Sequence, residues 1–189
     1  QEVKNNLPCF IMLGRIEKRK NCQRIIEAFS QLVLAQPNLN INLILIGKPG
    51  YGYDEIVKFN DTLPIDVRKS IVETGYIDND QVAAYMQTGL ALIYPSLYEG
   101  FGMPLLEAMS AGLPIITSDN SSMPEVVDEA AILVNPESTE EIREALSLLA
   151  DNQLTRQQIA KRGKERLKQF DWSKTAKETL NVLTEAALR

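Results

Sequence analysis

The sequence predicts a doubly wound α/β fold, a Rossmann-like parallel sheet with helices on both faces. Several short runs are almost continuously apolar, which is typical of strands buried on both faces of a parallel sheet. Amphipathic segments with apolar residues at helical spacing separate these runs, as in residues 22–35. Strand alternating with helix gives right-handed βαβ units. A sheet built this way binds ligands beyond the carboxyl ends of its strands.

The element order follows from these two patterns. The predicted strands are residues 10–13, 41–46, 71–73, 90–94, 115–117 and 131–134. The predicted helices are residues 22–35, 80–88, 104–111, 139–150, 157–170 and 173–188. No internal repeat or low-complexity linker interrupts them, so we expect residues 1–189 to form one domain.

Composition excludes several classes of function. The formal net charge of -5 provides no general basic field, so we expect no nucleic-acid partner. The chain contains no histidine, which excludes Ser/His/Asp and Cys/His catalysis and histidine-containing metal sites. Chemistry must then rest on carboxylates, Lys and Arg, hydroxyls and backbone groups. Cys9 and Cys22 have no metal or redox spacing, are given no function, and favour a reducing compartment.

The first candidate site follows the first predicted strand. Gly14 is followed by four cations before the next helix begins, and three of them, Arg15, Arg19 and Lys20, could face a phosphate. A solvent-exposed charged loop is the alternative interpretation. The position at the carboxyl end of a strand favours a phosphate site instead, because guanidinium and ammonium groups bind phosphate well.

A glycine-rich segment follows the second strand. Gly47, Gly50 and Gly52 would let a ligand approach the backbone closely, although a simple turn explains them equally well. The segment has neither the dinucleotide-binding glycine pattern nor a P-loop.

The most informative segment follows the fourth strand. The chain turns through Gly100 and Gly102 and enters a helix with Pro104 expected at its first position. Free amides at that helix start, together with the helix dipole, form an anion site. Glu99 and Glu107 supply carboxylates that accept hydrogen bonds from sugar hydroxyls. A merely capped helix is the alternative, but it explains Glu107 poorly because apolar residues flank that position. Residues 118–127 form a further loop and helix start, which by itself indicates only a capped helix.

These motifs resemble the group 1 family of retaining glycosyltransferases. The two-glutamate motif of that family, with seven residues between the glutamates, matches Glu99 to Glu107. Its Arg/Lys pair, with four residues between, matches Arg15 and Lys20. Residues 122–126 resemble the helix start after the fifth strand, and residues 75–77 resemble the segment that meets the nucleobase. The resemblance covers nearly the whole chain.

The resemblance implies the C-terminal, donor-binding half of a GT-B fold and transfer of a hexose from a nucleoside diphosphate sugar with retention. It assigns Arg15, Lys20 and Glu99 to catalysis, with the two cations stabilising the leaving diphosphate without a metal or cofactor. The residues that it implies for donor binding are Gly14, Arg19, Gly47, Tyr76, Ile77, Gly100, Phe101, Gly102, Met103 and Glu107. No side chain resembles a covalent nucleophile, and glycoside hydrolysis is rejected because the context is a phosphate site.

The sequence also departs from the family. The N-terminal domain with the acceptor site, and the histidine near the reacting sugar, are absent from it, so we expect this chain alone to bind nucleotide weakly and to turn over little. Many mannosyltransferase-like members have Thr in place of Arg15, so Arg15 and Arg19 are expected to share or exchange the phosphate role. Residues 16–21, 47–56 and 121–126 resemble the mannosyltransferase branch most.

The resemblance leaves the donor open between GDP-mannose and a UDP-sugar. It implies a glycan or lipid-linked acceptor in polysaccharide biosynthesis and a cytoplasmic location, peripheral at the inner membrane face. The basic stretch 161–168 is the candidate for lipid contact, although a solvated helix face explains it better. The alternative functions are a GT-B sugar-nucleotide epimerase or glycogen synthase-type enzyme, and a non-catalytic nucleotide-sugar-binding module. A flavodoxin-like or dehydrogenase domain is disfavoured because the dinucleotide glycines are missing.

Overall fold

The computed structural model describes residues 7–188 and contains one six-stranded sheet in which every strand pair is parallel. The sheet order is β3-β2-β1-β4-β5-β6. The strands are β1 (Cys9–Leu13), β2 (Asn42–Ile46), β3 (Ile71–Gly75), β4 (Ala91–Tyr94), β5 (Ile115–Ser118) and β6 (Ile132–Val134). This order and the parallel pairing confirm the predicted doubly wound sheet. The prediction that residues 1–189 form one domain includes residues 1–6 and 189, which lie outside the described residues.

Helices flank the sheet on both sides. They are α1 (Cys22–Ala35), α2 (Tyr53–Asp61), α3 (Ile65–Lys69), α4 (Asn79–Thr88), α5 (Met103–Ala111), α6 (Met123–Val127), α7 (Thr139–Asp151), α8 (Gln153–Leu167) and α9 (Trp172–Ala187). A short 3-10 turn, Lys18–Lys20, precedes α1. Pro104 is the second residue of α5 rather than the first, which leaves it in the first turn, where its missing N–H costs no helical hydrogen bond.

The four central strands, β1, β2, β4 and β5, contribute to two apolar cores, one on each face of the sheet. On β1, Phe10 and Met12 pack into the core beneath α1 and α7, whereas Ile11 packs into the core beneath α5 and α6. Leu45 and Ile46 of β2 divide between the two cores in the same way. Because side chains alternate across a strand, burial on both faces requires apolar residues at every position. This is why the strands are continuous apolar runs in the sequence.

The position of the fold's ligand crevice follows from the topology. From β1 the chain proceeds to β2 and β3 on one side, and later to β4, β5 and β6 on the other. The strands β1 and β4 are neighbours, and the chain continues from their carboxyl ends toward opposite sides of the sheet. Doubly wound sheets bind ligands at this switch point. The loops concerned are residues 14–21 and 95–102.

The last helix differs from the others in its packing. Every residue of α9 is exposed, including Trp172, Leu180 and Leu183. No helix among residues 7–188 is both long enough and apolar enough to cross a membrane.

Candidate active site

The loops after β1 and β4 meet at the switch point and are joined by their backbones. The Leu97 amide donates to the Arg19 carbonyl at 2.9 Å. On the other side, the Gly14 amide donates to the Ile46 carbonyl at 2.9 Å, which fixes the loop after β1 to the end of β2. The carboxyl edge of the sheet is therefore a single surface made from three successive loops.

Two glycines allow these loops to approach each other. A Cβ on Gly47 would lie 1.9 Å from the Gly14 carbonyl oxygen, so no other residue fits at this position. Gly14 has a φ of +134°, and a Cβ there would lie 3.3 Å from Cε of Lys20. Glycine tolerates such backbone conformations, which side chains rarely adopt. The two predicted glycines thus shape the floor of the crevice and leave room for the Lys20 side chain.

Lys20 lies at the centre of a buried ionic cluster. It is 8% exposed, and its Nζ lies 2.5 Å from Oε1 of Glu99. The same Nζ contacts the Tyr94 hydroxyl and lies 4.4 Å from the centre of the Tyr94 ring. The ammonium is thus held by a carboxylate, a phenol oxygen and an aromatic face, all three of which stabilise a cation.

Arg19 forms the second half of this cluster. Its Nη1 lies 2.9 Å from Oε2 of Glu99, so each carboxylate oxygen of Glu99 has its own cation. Nη2 donates to Glu17 at 2.9 Å, and Nη1 also donates to the Tyr98 carbonyl. Burial opposes ionisation of Glu99, but the hydrogen bonds and charges of Lys20 and Arg19 outweigh it and hold the pKa of Glu99 below its usual value.

Arg15 does not join the cluster. Its Nη2 donates to the Pro49 carbonyl at 3.0 Å. Lys18, from the same loop, pairs with Glu55 at 2.7 Å on the surface. Of the four cations at positions 15–20, Arg15 is the one without a carboxylate partner in the described part of the chain. Its positive charge remains uncompensated beside the crevice.

The loop that carries Glu99 is held in place from the β5 side. The hydroxyl of Ser122 donates to the Glu99 carbonyl at 3.0 Å, and the hydroxyl of Ser121 contacts the same oxygen and accepts from the Glu99 amide at 3.1 Å. The Asn120 side chain donates to the Leu97 carbonyl at 3.1 Å. The segment after β5 therefore supports the site by fixing the backbone on either side of Glu99, a role beyond a simple helix cap.

The helix starts around the crevice have a common property. The helices that follow the four central strands are α1, α2, α5 and α6, and none of them has a side-chain cap within residues 7–188. By contrast, α4 and α7, which follow the two edge strands, are capped by Asp78 and Ser138. Uncapped amides and the positive end of a helix dipole attract anions. The uncapped ends converge on the switch point, and α5 begins there with Gly102 in a left-handed conformation.

Glu107 lies on a different surface from Glu99. It lines an open groove of about 1010 Å³ between α4, α5 and the start of α9, together with Phe101 and Met103. Its side chain is exposed, yet burial against the apolar groove wall raises its pKa. The sequence suggested a carboxylate within a buried helix. The structure places it at the mouth of an apolar groove, where it is partly desolvated but accessible.

The sequence matches a known family along most of its length. Residues 1–166 match the profile of the family described as Glycosyl transferases group 1. The chain belongs to the group 1 glycosyltransferase family. This confirms the family resemblance inferred from the motifs around Glu99, Glu107, Arg15 and Lys20.

Individual relatives of this chain agree with the family assignment. O-antigen chain mannosyltransferase B of Escherichia coli is 30% identical over 173 residues, which are 91% of this chain and 44% of that protein. The serotype-specific mannosyltransferase WbdA of Escherichia coli is 27% identical over 175 residues, which are 92% of this chain and 21% of that protein. The chain thus spans less than half the length of these curated relatives.

A solved structure has the same fold. It is the crystal structure of the C-terminal domain of a glycosyl transferase group 1 family protein from Francisella tularensis, with a TM-score of 0.74 and 26% identity. The match covers 86% of this chain and 87% of that one. The predicted Rossmann-like half of a GT-B fold is confirmed.

The predicted donor-binding residues not yet described lie in the loops around the crevice. The Tyr76 ring is 73% exposed after β3, with Nζ of Lys48 at 5.0 Å from its centre, and Ile77 packs against the neighbouring core. Gly100 has open space around it, whereas Phe101 stacks edge-to-face on Phe170 at 5.9 Å. The structure therefore brings Lys20, Arg19 and Glu99 together. Gly14 and Gly47 lie on the floor of the crevice, and Tyr76 and Phe101 are exposed at its rim.

Three participants were not predicted as site residues, namely Glu17, Asn21 and Tyr94, each of which contacts a member of the cluster or its loop. Tyr94 resembled an ordinary end of an apolar strand, and only the pairing of β1 with β4 brings it to Lys20. Burial and the nearby charge of Glu99 raise the pKa of Tyr94, so its phenol stays protonated. Between residues 7 and 188, no group of three or more Cys, Asp or Glu side chains is arranged to hold a metal ion.

Proposed function

We propose that this chain is the donor-binding, C-terminal domain of a retaining, metal-independent hexosyltransferase that uses a nucleoside diphosphate sugar. The proposal rests on one observation above all, the ionic cluster of the buried Lys20 with Glu99 and the half-exposed Arg19 beside the uncapped start of α5. The diphosphate would occupy the crevice between the loops after β1 and β4. Membership of the glycosyltransferase family supports a sugar donor as the ligand of that crevice.

Charge on the leaving diphosphate would be stabilised by groups that are already oriented. Lys20 is held in place by Tyr94 and Glu99, and Arg15 retains an uncompensated charge nearby. The amides at the start of α5, around Gly102 and Met103, would add hydrogen bonds and the helix dipole. Preoriented donors of this kind lower the barrier because they need no reorganisation as charge develops. No metal ion is required in this scheme.

The two glutamates would bind two different parts of the donor. Glu99, at the crevice, would orient the donor sugar by accepting hydrogen bonds from its hydroxyls. Glu107, in the adjoining groove, would accept hydrogen bonds from the ribose. Tyr76 and Ile77, in the loop after β3, would contact the base. A partly desolvated carboxylate such as Glu107 suits this role because an incoming pair of hydroxyls compensates for the water that it has lost.

The state of Glu99 also bears on the stereochemistry. Each of its carboxylate oxygens is bound to a cation, and its pKa is lowered by those cations. A carboxylate in this state is a poor nucleophile, so we propose that no covalent sugar–Glu99 intermediate forms. Retention at the anomeric carbon then requires the acceptor oxygen to approach from the face that the diphosphate leaves.

The relatives suggest the donor and the type of acceptor. Two curated relatives are mannosyltransferases, which supports a mannosyl donor such as GDP-mannose, with a UDP-sugar as the alternative. A glycan or lipid-linked acceptor would bind to a further, N-terminal domain, so we expect residues 1–189 alone to transfer little or no sugar. We further propose polysaccharide biosynthesis at the cytoplasmic membrane face as the setting, with residues 161–168 still better explained as a solvated helix face than as a lipid contact. The prediction of no nucleic-acid partner and no resident cofactor stays part of the proposal.

Binding measurements on single variants test the phosphate site. Titration calorimetry with GDP and UDP should detect binding of at least one nucleotide, and Lys20→Ala or Arg15→Ala should weaken it by roughly tenfold or more. Lys18→Ala is the matched control, since Lys18 lies in the same loop but pairs with Glu55 at the surface. Equal affinities for the Lys20, Arg15 and Lys18 variants would contradict the assigned site.

Turnover by the whole protein tests the chemistry. Radiolabelled GDP-mannose and UDP-glucose, each supplied with a glycan acceptor, would identify the donor. The anomeric proton signals of the product report its configuration. An axial donor linkage should give an axial product, and an equatorial product would refute the retaining mechanism.

A further inference from the structure

We propose that Asn21 is the positioning residue that holds Lys20 in the diphosphate site. This proposal rests on the proposed function, because it gives Asn21 a role only through the contact of Lys20 with the donor. Asn21 follows Lys20 directly and touches neither Glu99 nor the crevice through its own side chain. Its effect on the ligand would therefore be indirect.

The backbone of Asn21 adopts a conformation that few side chains accept. Its φ is 60° and its ψ is 27°, in the left-handed region, where asparagine is tolerated better than most residues. The Asn21 amide donates to the Lys18 carbonyl at 2.9 Å and closes the 3-10 turn. The turn directs Lys20 inward: of its three residues, Lys18–Lys20, only Lys20 is buried.

The side chain of Asn21 connects three loops of the carboxyl edge. It is 5% exposed, and its Nδ2 donates to the Pro95 carbonyl at 3.0 Å and to the Pro136 carbonyl at 2.6 Å. Pro95 follows Tyr94 directly, and Pro136 lies in the loop after β6. One buried amide thus fixes the residue after Lys20 to the residue after Tyr94.

A second contact determines which way this amide faces. Nη1 of Arg24 donates to Oδ1 of Asn21 at 3.0 Å and also to the Pro136 carbonyl at 3.0 Å. With Oδ1 bound to a guanidinium, Nδ2 must face the two carbonyls, which can only accept. As the residue before α1, Asn21 would ordinarily cap that helix, yet its side chain makes no capping bond there. The side chain is used to hold the loops together instead.

This arrangement separates two roles that different substitutions can test. Asn21→Gly keeps the left-handed backbone but removes all three side-chain hydrogen bonds, so the loop retains its shape without its anchor. Asn21→Asp keeps the size of the side chain but turns a carboxylate oxygen toward two carbonyls, which repels them. We expect Asn21→Gly to weaken binding of GDP or UDP, whichever binds, by roughly tenfold, and Asn21→Asp by more.

A double-mutant cycle with Lys20→Ala distinguishes positioning from general destabilisation. If Asn21 acts through Lys20, Asn21→Gly should cause no further loss of nucleotide affinity in the Lys20→Ala background, while it should lower the melting temperature in both backgrounds. The core variant Ile142→Val, in α7 and away from the crevice, is the control. It should lower the melting temperature but leave nucleotide affinity unchanged.

The outcomes separate this proposal from the proposed function. If the parent protein binds GDP or UDP and Lys20→Ala weakens that binding, the phosphate site stands. In that case, an Asn21→Gly variant with parental affinity, or with the same fold loss in both backgrounds, would overturn the positioning role alone. If neither nucleotide binds the parent protein, both proposals are overturned together.

Discussion

Replacement of Glu99 by Gln would test the ionic cluster through stability, without any ligand. The substitution keeps the shape of the side chain but removes the charge that compensates Lys20 and Arg19. The Lys20 side chain is 10% exposed and cannot be hydrated in place. The Arg19 side chain is 47% exposed and can turn toward water. The cost of the substitution should therefore come mainly from Lys20.

The magnitude follows from this difference in burial. Removing one partner of a buried ion pair costs about 3–5 kcal/mol because the other charge is left uncompensated. Here the amide oxygen of Gln still accepts from Lys20, and Tyr94 remains in contact with it. We therefore expect a smaller loss, of about 2–3 kcal/mol. For a domain of this size, the corresponding fall in melting temperature is about 4–12 °C.

A matched control makes the measurement specific. Glu55→Gln removes the same charge from the Lys18–Glu55 pair, whose side chains are 43% and 61% exposed. An exposed pair contributes about 1 kcal/mol at most, so the melting temperature should fall by less than about 4 °C. Calorimetric unfolding of both variants at pH 7 provides the comparison. Equal shifts for Glu99→Gln and Glu55→Gln would refute the buried, stabilising cluster.

Three further predictions concern pH, the second glutamate and the glycines. The lowered pKa of Glu99 means that its ion pairs stabilise the fold fully above its unfolded pKa of about 4.3 and are lost as the pH falls through the lowered pKa of the folded state. The stability gap between parent and Glu99→Gln should therefore shrink as the pH is lowered below about 4.3, and a gap independent of pH would contradict this. The raised pKa of Glu107 means that its charged form is disfavoured in the fold, so Glu107→Gln should melt no lower than the parent at pH 7. The same variant should bind GDP or UDP roughly tenfold more weakly, and a melting temperature below that of the parent would contradict the role assigned to Glu107. Gly102→Ala should lower the free energy of unfolding in denaturant by about 1–3 kcal/mol, because φ is +94° and the new Cβ would lie 2.9 Å from Met123. Gly100→Ala should be near neutral because no described atom lies within 4 Å of its Cβ position, and similar losses for both variants would refute the packing at the start of α5.

The fold was largely predictable because strands that are buried on both faces of the sheet are continuous apolar runs in the sequence. All six strands were found with ends within two residues of those observed, since every position of a doubly covered strand must be apolar. The helices α2 and α3 were not predicted because Ile56 and Val67 are their only buried residues in the described chain, which leaves little apolar periodicity. The start of α8 was placed at residue 157 instead of Gln153 because the capping bond of Asn152 to the Thr155 amide lies outside any apolar pattern.

The site was predictable as a set of loops but not as a set of contacts. Glycines and cations at strand ends indicated where the crevice would form. Which cations contact Glu99 depends on the pairing of β1 with β4, because this pairing brings residues 20 and 99 together. Most of the first half of the chain separates these two residues in the sequence. Arg15 and Arg19 were equally plausible phosphate ligands from sequence. In the structure, Arg19 forms an ion pair with Glu99, whereas Arg15 donates a hydrogen bond to the backbone carbonyl of Pro49.

Crystals soaked with GDP or UDP would show where the nucleotide binds. We expect electron density for the diphosphate between the loops after β1 and β4, with a phosphate oxygen within about 3 Å of Nζ of Lys20 and of an amide at the start of α5. The nucleoside should extend toward Glu107. A nucleotide bound with its phosphates away from both Lys20 and the start of α5 would contradict the account.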